Sequence, residues 1–348
     1  MDVKLLKKIC ETPGAPGFET KIRNLVINEL ENKVDSIEID NLGNIIAVKK
    51  SKNHSDTKIM VAAHMDEIGF IVTHIDDNGF IRFHTLGGFD PKTLTAQRVR
   101  IHGKDKTISG VMGTKPIHVM SQEERNKLPK STDYFIDTGM KKEDLVEHIK
   151  IGDPITWERE LIEMGDCVNC KSIDNRVSVF ILIEALKSIK NPAFDVYGVF
   201  TVQEEVGLRG ANVSAHQINP DFGIALDTTI AYDVPGAQDH EKITRLGEGA
   251  AIKIMDSSVI CDYRMVEYLK QTADNNSIPW QPEILPAGGT DTAGVQRMGK
   301  NGAISGAISI PTRHLHQVIE MANKNDISNS ISLLVKALEN MSEFDWSH

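Results

Sequence analysis

Apolar positions near the N-terminus recur at helical spacing. Residues 3–11 and 19–33 predict helices, the second carrying Ile22, Leu25, Val26 and Leu30 on one face. Pro13, Gly14, Pro16 and Gly17 separate them. The period then drops to that of a strand. Residues 34–39 and 43–48 alternate on either side of the turn signal Asp40-Asn41, and a polar loop is expected over 49–58. Ile59 to Ala63 (IMVAA) is apolar throughout, the pattern of a strand buried on both faces, and it ends at His64-Met65-Asp66-Glu67.

From about residue 70 the segments become short and β-rich, with turn signals at Asp77-Asn78-Gly79, Gly87-Gly88 and Gly152-Asp153. Only 141–148 reads as a helix there. Regular short strands with polar turns predict a small barrel or sandwich. Near residue 165 the longer alternation returns. Helices are expected at 175–189, 265–275 and 326–341, and strands at 196–203, 222–226, 250–254 and 303–308. Strands alternating with helices predict an α/β fold, a mixed, largely parallel sheet covered on both faces. The sheet domain then spans 1–69 and 165–348, with a β-rich, barrel-like insertion over 70–164.

The 348 residues are too many for one small core. A hydrophobic share of 40% and a charged share of 25% are those of a globular chain. The net charge of -10, with no basic tract, argues against a nucleic-acid partner. No apolar run reaches the roughly 18 residues a membrane helix needs. The start MDVKLLKKIC lacks the continuous apolar stretch of a signal peptide, so a cytoplasmic protein is expected. Cys10, Cys167, Cys170 and Cys261 are then expected as free thiols. Cys167 and Cys170 form a C-x-x-C with no second half to complete a zinc knuckle.

Candidate chemistry gathers where the apolar runs stop. IMVAA ends at His64 and Asp66. The stretch GVFTVQEEVGLRG, residues 198–210, runs into Glu204 and Glu205. FGIAL ends at Asp227, AISGAISI is followed by His316, and Asp174 stands just before a helix. Alone, each has a plain reading. Glu204-Glu205 fits a solvated loop, Asp174 an N-cap, Asp66 and Asp227 turn acids, and His316 a polar residue near a helix start. Together they match the rule that ligands collect outside the carboxyl ends of strands in open α/β sheets. Carboxylates at the end of a buried strand are costly without a cation nearby. Neighbouring side chains of an extended segment point apart, so one glutamate could hold a metal while the other enters a cleft. Mixed His, Asp and Glu ligation suits zinc, cobalt or manganese. The Gly-rich AGGTDTAG, residues 287–294, lacks the spacing of a phosphate-binding loop.

The segments VAAHMDEIGF, GGFDP, GVMGTKPIHV, VEHIKIGDP, KSIDNR, VFTVQEEVGLRGA, IALDTT, AGGTDTAG and PTRHLHQ run nearly end to end. In that order they resemble the M42 family of dinuclear metallo-aminopeptidases, which includes glutamyl aminopeptidases and tetrahedral cage enzymes. The resemblance implies a sheet of zinc-peptidase type and a dimerisation role for the insertion. It implies two divalent ions per subunit, zinc or cobalt, with manganese also compatible. His64 and Asp227 would complete one metal site, Glu205 and His316 the other, and Asp174 would bridge them. Asp66 would orient His64, and Glu204 would be the general base. His314 and Gln317 stand where the family usually has tyrosine and serine, which leaves open a swap of ligand role to His314.

The implied activity is removal of N-terminal residues from short peptides by a homo-oligomer, with a dodecameric cage as the family's example. A glutamyl or aspartyl preference is the finer expectation, with Arg209 and Arg313 as candidate partners for a substrate carboxylate. Two other readings remain at this point: an endoglucanase-like glycoside hydrolase using Glu204 and Glu205, and a non-catalytic peptide-binding scaffold.

Overall fold

Uninterrupted apolar runs become the middle of a sheet. In a computed structural model describing residues 1–53 and 55–348, strands Asp195–Thr201, Lys58–His64, Phe222–Ile230 and Ile304–Arg313 lie side by side in that order and run parallel. His54, in the polar loop expected over 49–58, lies outside the described residues. Strand Lys58–His64 feeds two cores. Ile59, Val61 and Ala63 join the larger one, with Leu6 of helix Val3–Glu11, Phe180 of helix Ile173–Ser188 and Leu334 of helix Lys324–Asn340. Met60 and Ala62 join a smaller core with Ala215 of helix Arg209–Ile218 and Val295 of helix Thr292–Met298. The strand period of two persists, yet no alternation shows in IMVAA because helices cover both faces.

Antiparallel strands flank this centre. Ser36–Ile39 and Ile45–Lys49 lie on one side, and Glu320–Asn323, Cys167–Cys170 and Ile162–Met164 on the other. Strand Ala250–Met255 pairs antiparallel with Ile304–Arg313 and parallel with Trp280–Ile284. The fold is α/β with a mixed sheet whose parallel part is its core.

The chain leaves the sheet directly after His64 and Asp66. Strands Gly69–Ile75, Ile81–Leu86, Phe135–Asp137, Thr107–Gly113, Arg98–His102 and Pro154–Trp157 close in that order into an antiparallel barrel. Closure leaves no unpaired edge. Phe70, Val99, Ile101, Ile136, Ile155 and Trp157 fill its interior, apart from the cores of the sheet. Gly87 follows strand Ile81–Leu86 with φ +101°, and a Cβ there would sit 2.7 Å from Ile68 Cγ2. A side chain is therefore excluded from this turn back toward the sheet.

Some local expectations differ from the structure. The helix expected at 141–148 is only Lys142–Leu145, one turn. Helix Arg209–Ile218 has no counterpart among the expected elements, and helix Thr292–Met298 begins within the Gly-rich AGGTDTAG. Strand Glu320–Asn323 (EMAN) pairs with Cys167–Cys170 across the chain, a contact no local period announces. Cys167 and Cys170 lie an odd number of residues apart on one strand, so they face opposite sides. All four cysteines are free thiols. No described helix is long and apolar enough to cross a membrane.

Candidate metal centre

Parallel strands bring their carboxyl ends to one edge, and the candidate residues meet there. His64 is the last residue of its strand, and Asp227 lies within Phe222–Ile230. Asp174 sits at the start of helix Ile173–Ser188, where the Asp174–Asn175 peptide is cis. Strand Asp195–Thr201 has already ended when the chain reaches Glu204 and Glu205. The two glutamates therefore diverge within a turn, not by the pleat of a strand. Gln203 before them has φ +55°.

Asp174 occupies the middle. Its Oδ1 lies 3.4 Å from His64 Nε2, and its Oδ2 lies 3.4 Å from His316 Nε2. Asp227 Oδ1 is 3.7 Å from His64 Nε2, and Glu205 Oε2 is 3.6 Å from His316 Nε2. Glu204 Oε2 lies 3.6 Å from His64 Nε2. Three overlapping groups have ligand atoms close enough to share an ion: His64, Asp174 and Asp227; Asp174, Glu205 and His316; and His64, Glu204 and Glu205. His314, the alternative ligand, is exposed and joins none of them.

The donor set fits divalent cations. Asp174 Oδ1 and Glu205 Oε1 are buried without a hydrogen-bond partner. Buried carboxylate oxygens in that state call for positive charge. Burial pushes Glu205 up to about 8 and Glu204 well above the usual carboxylate range, and neighbouring carboxylates add to both shifts. Burial alone would also raise Asp174, yet the two imidazoles hold it below its ordinary value. Burial would lower His64, but Glu204, Asp174, Asp227 and Asp66 outweigh it and raise it. Crowded acids and imidazoles of this kind share protons when no metal replaces them.

The surrounding groups fix the two histidines. Gly88 O lies 2.8 Å from His316 Nδ1. A carbonyl can only accept, so Nδ1 carries the proton and Nε2 offers its lone pair to the cluster. This contact comes from the barrel insertion. His64 Nδ1 is 3.2 Å from the backbone oxygen of Asp66 and 3.5 Å from its carboxylate. The carbonyl is thus the better partner for His64. The Asp66 carboxylate instead accepts from the backbone N–H of Glu204 at 3.0 Å and of Glu205 at 3.1 Å. One acid holds the turn that carries both glutamates.

Glu320 plays the same part on the other side and escapes the sequence reading. It is buried, with one oxygen accepting from Asp174 N at 2.9 Å and the other from His316 N at 2.8 Å. Its only local signal is a glutamate four residues after His316 in an otherwise unremarkable segment. Asp291, in AGGTDTAG, accepts from the Thr201 hydroxyl at 2.5 Å and keeps its other oxygen buried and unpartnered. Glu320→Ala is expected to weaken metal binding at the Glu205/His316 end by about 10–100-fold while sparing the His64/Asp227 end. Equilibrium dialysis of the variant against zinc measures this, and unchanged uptake would assign Glu320 to the fold alone.

A family model described as M42 glutamyl aminopeptidase matches residues 43–333. The chain belongs to the M42 peptidase family. It is 41% identical to a putative aminopeptidase of Acetivibrio thermocellus, over 96% of this chain and 97% of that one. It is 33% identical to the lysyl aminopeptidase of Pyrococcus furiosus, over 100% and 99% of the two chains. Among solved structures, an aminopeptidase from Desulfurococcus kamchatkensis superposes with a TM-score of 0.93 at 38% identity, covering 97% of this chain and 94% of that one. The Pyrococcus horikoshii TET1 peptidase, which can assemble into a tetrahedron or a large octahedral shell, matches with a TM-score of 0.87 at 31% identity, covering 97% and 98%. This M42 member is therefore an aminopeptidase, a hydrolase acting at peptide N-termini. The family is metal-dependent, and His, Asp and Glu groups able to hold metal are present in this chain.

Proposed function

We propose that the M42 chain removes N-terminal residues from short peptides with two divalent cations, zinc or cobalt, with manganese also compatible. One observation carries the reading: the Nε2 atoms of His64 and His316 approach opposite oxygens of the same carboxylate, Asp174. His64 and Asp227 would hold one cation with Asp174, and Glu205 and His316 the other. Divalent cations there supply Lewis acidity, polarising a carbonyl and making water nucleophilic near neutral pH.

Glu204 is left for proton transfer. It takes a proton from the attacking water and returns it to the departing amine. Burial raises its pKa, which suits a carboxyl that must both accept and release a proton. Asp66 supports this step by holding the backbone of Glu204 and Glu205. The substrate's free α-amine would lie near a cation or an acidic residue of the centre, which would restrict cleavage to the first residue. The endoglucanase alternative needs two carboxyls flanking a glycosidic bond. Glu205 faces His316 within the candidate cation cluster, so it is not free to stand opposite Glu204 across such a bond. The scaffold alternative has no use for a buried acid poised beside the cluster.

Chelation is expected to abolish hydrolysis of aminoacyl anilides, and zinc, cobalt or manganese added singly to restore it. N-acetylated anilides should stay uncut. Equal cleavage of free and acetylated substrates, or full activity after metal removal, would refute the reading. We further assign the barrel over 70–164 as a dimerisation unit of a homo-oligomer, with the dodecamer as working size. Light scattering that returns the monomer mass would refute that assignment.

A further inference from the structure

Membership in the family leaves the preferred N-terminal residue open, since it spans glutamyl and lysyl enzymes. The wall above the centre narrows it. A cavity of about 530 Å³ opens over the cluster. Apart from the cluster's own acids and imidazoles, its charged lining is nil: Leu208, Ile230, Leu285 and Leu315 alternate with glycines, Ala287 and threonines. No lysine or arginine is among the lining residues.

The cations that could read a carboxylate are committed elsewhere. Arg313 forms a two-point pair with Asp233, at 2.6 Å for both bonds. Arg209 donates to Gln203 at 3.1 Å and stays outside the cavity. Lys253 is fully buried, 2.7 Å from Glu283 and 3.2 Å from Asp256. This triad also captures two of the wall's three threonine hydroxyls. Thr229 donates to Glu283 at 2.8 Å, and Thr290 donates to Asp256 at 2.9 Å. Both threonines line the cavity, yet their protons go to carboxylates outside it.

We propose, on the aminopeptidase reading above, that this cavity accepts a neutral, apolar N-terminal side chain of leucine or methionine size and rejects acidic and basic ones. An acidic side chain meets no cation on the wall, and of the three threonine hydroxyls there only that of Thr228 is not already given to a carboxylate. A basic side chain meets no wall carboxylate, because Asp256 and Glu283 are held by Lys253. Either charge would lose water and gain no charged partner on the wall, whereas an aliphatic chain gains from burial. This replaces the acidic preference expected through Arg209 and Arg313.

The test uses the metal-restored full chain and leucyl, methionyl, glutamyl and lysyl anilides. Leucyl and methionyl substrates are expected to exceed the charged ones in kcat/KM by on the order of 100-fold. Ile230→Lys, at a partly exposed wall position, is expected to raise the glutamyl-to-leucyl ratio about 10-fold or more. A glutamyl or lysyl substrate cut as fast as leucyl would overturn the proposal and leave the aminopeptidase reading intact. Should no anilide be cut, calorimetry with leucine, glutamate and lysine hydroxamates decides. Selective binding of the leucine compound supports the pocket while the catalytic reading falls. Equal binding, no binding or a charged preference overturns the pocket.

Discussion

Glu204→Gln is expected to retain wild-type metal content and to lose about 10²–10⁴-fold in kcat, with little change in KM. Glutamine matches glutamate in shape, and the backbone N–H of residue 204 would still donate to Asp66. It cannot accept a proton as a carboxylate does, so only proton transfer is removed. The competing assignment is concrete, because His64, Glu204 and Glu205 also lie close enough to share an ion. Elemental analysis of the purified variant beside its kcat separates the two. Loss of metal comparable to that of a ligand variant would make Glu204 a ligand, and near-normal turnover would deny it the base role.

Asp174→Asn is expected to reverse that pattern, losing metal before anything else. The two oxygens of Asp174 approach different histidines. An asparagine offers one oxygen, and its amide would turn N–H groups toward the other cation. Affinity at one end is expected to fall about 100-fold or more, beyond the effect of losing a supporting group such as Glu320. A cation that binds only the folded state stabilises it by about 4 kcal/mol when present at a thousand times its Kd. The rise in Tm on adding zinc should therefore be clear for the wild type and small for the variant. An equal rise in both would show that Asp174 bridges nothing.

Local chemistry carried much of this protein. A strand buried on both faces is apolar throughout, so IMVAA and FGIAL mark the sheet centre, and the polar residues closing them mark its carboxyl edge. His64, Asp227, Glu204 and Glu205 could be picked out this way because each departs abruptly from an apolar run. The barrel insertion is legible from its turn signals, though the sequence over 141–148 overstates the one-turn helix Lys142–Leu145. The charged triad Lys253, Asp256 and Glu283 gave no such sign. A lysine in a strand ordinarily reads as surface, and its burial follows from a neighbouring strand that brings Glu283.

The chain's own order of residues was enough for the fold class, the insertion and the residue types that could hold metal. It could not say which groups hold those residues in place. Asp66 reaches the N–H of Glu204 across 138 positions, and Glu320 reaches that of Asp174 across 146. Such partners are chosen by where turns and strand pairings deliver backbone N–H groups in space, and hydrophobic periodicity carries no record of that. The neutrality of the cavity wall has the same origin: Arg313, Lys253 and the hydroxyls of Thr229 and Thr290 are present in the sequence, and folding commits them to carboxylates outside the cavity.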